Sequence, residues 1–123
     1  MDAMLKPPEP DPALDAFRGG VAALRRDGEV AGHVATTVMT FWAPFSFSRH
    51  RQWWVWFMVV WANGDREMPD EDYPPWTVVR EMQSGTFTWE QDDAHRGDYT
   101  VEWLPEEARQ EALSALRIGP DDF

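Results

Sequence analysis

Two stretches of the chain alternate strictly between apolar and polar residues: Thr86-Phe87-Thr88-Trp89-Glu90 and Tyr99-Thr100-Val101-Glu102-Trp103. In an extended strand successive side chains point to opposite faces, so Phe87 and Trp89 share one face, as do Tyr99, Val101 and Trp103. The other faces carry Thr86, Thr88, Glu90, Thr100 and Glu102. Joined by the polar segment 91–98, these stretches predict a one-sided antiparallel hairpin. A different pattern runs from Trp53 to Trp61, which is apolar at every position. Such a strand belongs inside a sheet covered on both faces, or divides its faces between a core and a binding groove. Val34 to Ala43, rich in Val, Thr and aromatics, predicts the strand before it, ended by Pro44. Phe45 to Arg51 then forms the connecting loop. Asn63-Gly64 is the strongest short turn signal in the chain, and Asp65 to Met68 beyond it predicts a brief edge strand.

Helical spacing accounts for three further segments. Asp11-Pro12 offers an N-cap and a first-turn proline, and Leu14, Phe17, Val21 and Leu24 follow as one stripe, with Gly28 as the stop. This predicts a helix over 12–27. Trp76, Val79 and Met82, with prolines in front and Gly85 behind, predict a short helix over 76–83. Pro105-Glu106-Glu107 opens a third helix with acids in its first turn. Ala108, Ala112 and Leu116 form its stripe and Gly119-Pro120 ends it.

The element order is therefore α-β-β-α-β-β-α. It predicts an α+β domain: a mainly antiparallel sheet of about four to five strands with helices packed on one face. Residues 1–11 read as a flexible Pro-rich leader, 12–119 as a single domain and 120–123 as a short acidic tail. In outline this order is similar to that of small, acidic, dimeric bacterial secretion chaperones, a likeness of element order alone.

Composition narrows the class. A length of 123 residues fits one domain. The absence of Cys excludes a disulfide scaffold and any thiolate-held metal centre. The N-terminus lacks a basic segment followed by an apolar one, so no secretory signal is expected there. The longest apolar run, Trp53 to Ala62, is half of the ~20 residues a spanning helix needs. A cytoplasmic protein is expected.

Charge is the most informative bulk property. The formal net charge is −11, which argues against unspecific binding to nucleic acid or anionic lipid. Residues 1–64 hold six acids and six bases, so the whole excess lies in 65–123, with sixteen acids and five bases. Two stretches concentrate it. One contains Asp65, Glu67, Asp70, Glu71 and Asp72; the other contains Glu90, Asp92, Asp93 and Asp98. If the fold unites them, they form one acidic face.

Catalytic motifs are missing. No GxSxG elbow, phosphate loop or HxxxH pair occurs. Asp92, Asp93, His95 and Asp98 collect hard and borderline metal ligands, but their spacing matches no known metal loop. Turns also gather Asp and Gly for backbone reasons. The expectation is therefore no catalytic residue, no cofactor and no metal. Eight Trp exceed the needs of a small core, and Trp anchors many protein interfaces. Phe45, Phe47, Trp53 and Trp54 are the candidate aromatic contacts. Together these features predict a non-enzymatic, acidic interaction module for a basic protein partner, of the inhibitor, immunity, anti-defence or effector-chaperone type. The alternative is a small-molecule-binding domain with a Trp-lined pocket. A strand apolar on both faces is also a surface that a second copy of the chain covers, so a homodimer is one of the partners the sequence allows.

Overall fold

Among the described residues, six antiparallel strands form a single sheet in the order β4-β3-β2-β1-β6-β5. A computed structural model describes residues 12–42, 51–69 and 75–119, with side chains at 15–38, 55–69 and 79–119. The strands are β1 (Val21–Arg26), β2 (Glu29–Trp42), β3 (Arg51–Trp61), β4 (Arg66–Glu67), β5 (Thr86–Trp89) and β6 (Gly97–Trp103). Two α-helices accompany them, α1 (Pro75–Gln83) and α2 (Glu106–Leu116), and a 3-10 helix (Pro12–Phe17) precedes β1. The leader 1–11, Phe45 and Phe47, Asp70, Glu71 and Asp72, and the tail 120–123 lie outside the described residues.

The helix expected over 12–27 is not there. A 3-10 helix ends at Phe17, and β1 follows from Val21. The break falls at Gly19-Gly20. Gly19 takes a φ of +65°, and a Cβ on Gly20 would sit 2.1 Å from the Ala16 carbonyl oxygen. Beyond it, Val21, Ala22, Ala23 and Leu24 are all buried. A strand covered on both faces is apolar at every position, so a helix-like spacing arises within it as a by-product. Gly28, expected as a helix stop, instead completes a tight hairpin. Asp27 and Gly28 have φ of +54° and +81°, the paired positive values that match the twist of two flanking strands.

Helices cover both faces of the sheet, not one. Alternation along β3 puts Val55, Phe57, Val59 and Trp61 on one side and Met58 and Val60 on the other. The first side meets Val79 and Met82 of α1, together with Phe17, Phe87, Trp89 and Tyr99. The second meets Ala112, Leu113 and Leu116 of α2, and Ile118 just past it. This is why β3 is apolar at every position from Val55 to Trp61. Helix α2 ends at Arg117, in the left-handed conformation, with φ of +57°; its last turn donates from the Ile118 amide to the Leu113 carbonyl. Arg66 of β4 donates to the Leu116 carbonyl and so ties the helix end to the sheet edge.

The 86–103 hairpin forms as its alternation predicts, with Phe87 opposite Tyr99 and Thr86 opposite Thr100. Asn63-Gly64 turns the chain into the brief strand β4, and α1 spans the segment expected to be helical. Six strands among the described residues replace the expected four to five because the β1 segment, whose spacing predicts a helix, is extended; the brief edge strand expected over Asp65 to Met68 is β4. No helix among the described residues is long and apolar enough to cross a membrane.

The sheet curls into a half-barrel. Strands β4 and β5 are its opposite edges, about 24 Å apart if six strands lay flat at a spacing of about 4.8 Å. Instead, the Trp89 indole of β5 donates to Glu67 of β4 at 3.0 Å.

Candidate functional site

The two edges meet through a stack of aromatic rings. Trp61 and Trp89 lie 6.3 Å apart between centroids, and Trp61 and Tyr99 lie 5.3 Å apart. Both indoles are buried, and a buried N–H must find an acceptor. Both find the same one. Trp61 Nε1 donates to Glu67 Oε2 at 2.5 Å and Trp89 Nε1 donates to that oxygen at 3.0 Å. The Glu67 carboxylate, half-buried, thus turns toward the core.

Above this pair sits His95, from the loop joining β5 to β6. Its ring stacks on Trp61 at 4.4 Å with an interplanar angle of 7°. Two features hold the loop. Asp92 Oδ1 accepts from the Ala94 amide at 3.0 Å, an Asx turn, and Tyr99 donates its hydroxyl to the His95 carbonyl at 2.5 Å. His95 Nε2 lies 3.0 Å from Asp65 Oδ2 and 3.7 Å from Asp92 Oδ2. Asp65 is itself placed by the β3–β4 turn. Its amide donates to Asn63 Oδ1 at 3.0 Å, and its carboxylate accepts from Asn63 Nδ2 at 2.9 Å. A further strut links the two acidic stretches, Gln91 donating to the Met68 carbonyl at 3.1 Å.

One end of the half-barrel therefore gathers Asp65, Glu67, Asp92 and His95, with Glu90, Asp93 and Asp98 exposed on the same loop and hairpin. Asp93 pairs with Arg96 at 2.9 Å, and Asp98 accepts from the Thr88 hydroxyl at 3.0 Å. Among the described acids of the two stretches, Glu67 turns inward to accept from the two indoles. The sequence did not reveal its two indole donors or the stacking of His95. The inward face of Trp89 was legible from alternation, but its reach to β4 depends on the curl of the sheet.

Among the described side chains, Trp61 and Trp89 belong to the core, and the exposed large apolar side chains are Val30 and Met68. The backbone of Trp53 and Trp54 lies in β3 opposite Thr40 and Met39 of β2. Two clefts flank α2. One, of about 560 Å³, is bordered by Gly20, Ala35, Thr37, Leu113 and Ile118. The other, of about 340 Å³, is bordered by His33, Val60, Trp61 and Leu116.

The hydrogen bond from His95, then that from Asn63, holds the Asp65 carboxyl below its usual range. The unfolded chain therefore takes up this proton at a higher pH than the folded one. The stabilisation is complete above the unfolded pKa, about 3.9, and is lost as pH falls through the lower folded value. Below about pH 4, the melting temperature of the wild type should accordingly fall more steeply than that of Asp65→Asn. Parallel curves for the two proteins would refute the assignment.

Comparison with protein-family models, with curated proteins and with solved structures found no match for this chain.

Proposed function

We propose that the protein is a non-enzymatic, cytoplasmic interaction module whose acidic end binds a basic protein partner. The observation that supports this most directly is the meeting of the two acidic stretches. Asp65 reaches His95, Gln91 reaches Met68, and Glu67 reaches Trp89. The charge of residues 65–69 and 90–98 is thereby concentrated at one end of the half-barrel. Clustered charge of one sign speeds encounter with an oppositely charged partner and makes the on-rate dependent on salt. Inhibitors, immunity proteins, anti-defence proteins and effector chaperones work by this physics. A special case is a nucleic-acid-binding partner for which carboxylates stand in for phosphates.

The acids that carry this reading are Glu90, Asp93 and Asp98, which are exposed and belong to no core contact. Immobilised protein should capture a basic polypeptide from a lysate of its source cells at low salt and release it at high salt. For that partner, the triple variant Glu90→Gln, Asp93→Asn, Asp98→Asn should associate about tenfold more slowly at low ionic strength. The two rates should converge when salt shortens the Debye length to about 3 Å. Capture of nothing basic, or a variant with an unchanged on-rate, would reject the reading.

A further inference from the structure

We propose that Glu67, Asp92 and His95 form a binding site for one divalent first-row transition-metal ion, of the Zn²⁺ class, with Asp65 on its open side. The argument is geometric first. One ligand atom from each of the three residues lies within 4.8 Å of the others. Ligands at about 2.0–2.2 Å from a common ion are up to about 4 Å apart, so small side-chain rotations close the set. The Asp65 carboxylate, 3.0 Å from His95 Nε2, is already within that distance.

Each ligand is also held in place by a bond that leaves a metal-binding atom over. Glu67 offers its two indole donors a single oxygen, Oε2, and a carboxylate carries about four lone-pair sites on two oxygens. Asp92 commits Oδ1 to the Ala94 amide, while Oδ2 faces the imidazole. His95 is fixed by stacking on Trp61 and by the Tyr99 bond to its carbonyl. The ligands come from β4 and from the β5–β6 loop, segments joined only by the curl of the sheet. This is the pre-organisation a metal site requires.

The donor set selects the ion. One imidazole with two or three carboxylates suits a borderline cation that accepts nitrogen. Ca²⁺ takes 6–8 oxygens, and Mg²⁺ demands near-ideal octahedral geometry. Zn²⁺ and Co²⁺ should therefore bind more tightly than either. The site stands apart from the basic-partner reading, because it is measured on the isolated protein.

The test uses the untagged full chain, stripped with a chelator and titrated with Co²⁺ at pH 7.5, then with Zn²⁺ by calorimetry. Visible Co²⁺ absorption should saturate at one equivalent and be abolished by Zn²⁺. His95→Gln and Asp92→Asn should each weaken binding at least tenfold, while His33→Gln should bind as the wild type does. Saturating Zn²⁺ should raise the melting temperature by about 10 °C at a hundredfold excess over Kd. Near-UV circular dichroism reports whether each variant keeps its aromatic stack. If His95→Gln loses it, Asp92→Asn, which leaves the imidazole on Trp61, decides. The proposal is overturned by absent or unsaturable Co²⁺ absorption, by undiminished binding in a folded Asp92→Asn or His95→Gln variant, or by tighter binding of Ca²⁺ or Mg²⁺ than of Zn²⁺.

Discussion

Trp89→Ala is expected to lower the unfolding free energy by about 3–5 kcal/mol, the range for deleting a fully buried large aromatic side chain. Trp89 is 0% exposed. Its ring stacks on Phe87 at 5.7 Å and packs edge-on against Phe57 at 6.1 Å. It also reaches Trp61 and donates to Glu67, so its removal opens a cavity at the seam where the sheet edges meet. Small domains are stable by about 5–15 kcal/mol in total, so the loss is a large share of the whole. Urea unfolding followed by far-UV circular dichroism would measure it as a lower midpoint with the slope preserved. Trp89→Phe keeps most of the packing and should cost clearly less. A change below about 1 kcal/mol for the alanine variant would mean that the seam contributes little.

Glu67→Ala should destabilise by about 2–4 kcal/mol, although the residue is acidic and sits on a two-residue edge strand. The reason lies in its donors. Removing the carboxylate strands two buried indole N–H groups, each at a cost of about 1–3 kcal/mol when left without an acceptor. Glu67→Gln retains a carbonyl oxygen for the indoles and should lose less. Combining Glu67→Ala with Trp89→Phe should cost less than the sum of the two, because the second change removes one of the stranded donors. Strict additivity would show that the indole bonds carry no coupling energy. The comparison also separates the structural duty of Glu67 from the surface duty of Glu90, Asp93 and Asp98. Neutralising those three should leave the urea midpoint nearly unchanged, as surface substitutions do.

The two edges of the sheet explain which parts of this molecule were legible beforehand. The 86–103 hairpin was readable because one of its faces is wet: alternation survives only where solvent accepts polar side chains. The β1 segment was misread for the opposite reason. With Ala22 and Leu24 on one face and Val21 and Ala23 on the other, all buried, no period distinguishes it from a helix. The decisive signal was the Gly19-Gly20 pair, whose second member has no room for a Cβ beside the Ala16 carbonyl oxygen. The placement of both helices on one face failed for a related reason. Periodicity shows that a helix has an apolar stripe but not which side of a two-faced sheet receives it.

The sequence by itself determined that the strands would pair antiparallel, that the run ending at Trp61 would present apolar side chains to both faces of a sheet, and that all of the net negative charge lies beyond residue 64. These properties are local: they follow from the order of side chains along an extended or helical backbone. Only the tertiary structure decided that the acids of 65–67 and those of 90–98 would share one end of the molecule. In a flat sheet they would sit on opposite edges. The curl brings them together because Trp61 and Trp89, buried from the two sides, need one acceptor, and Glu67 supplies it to both.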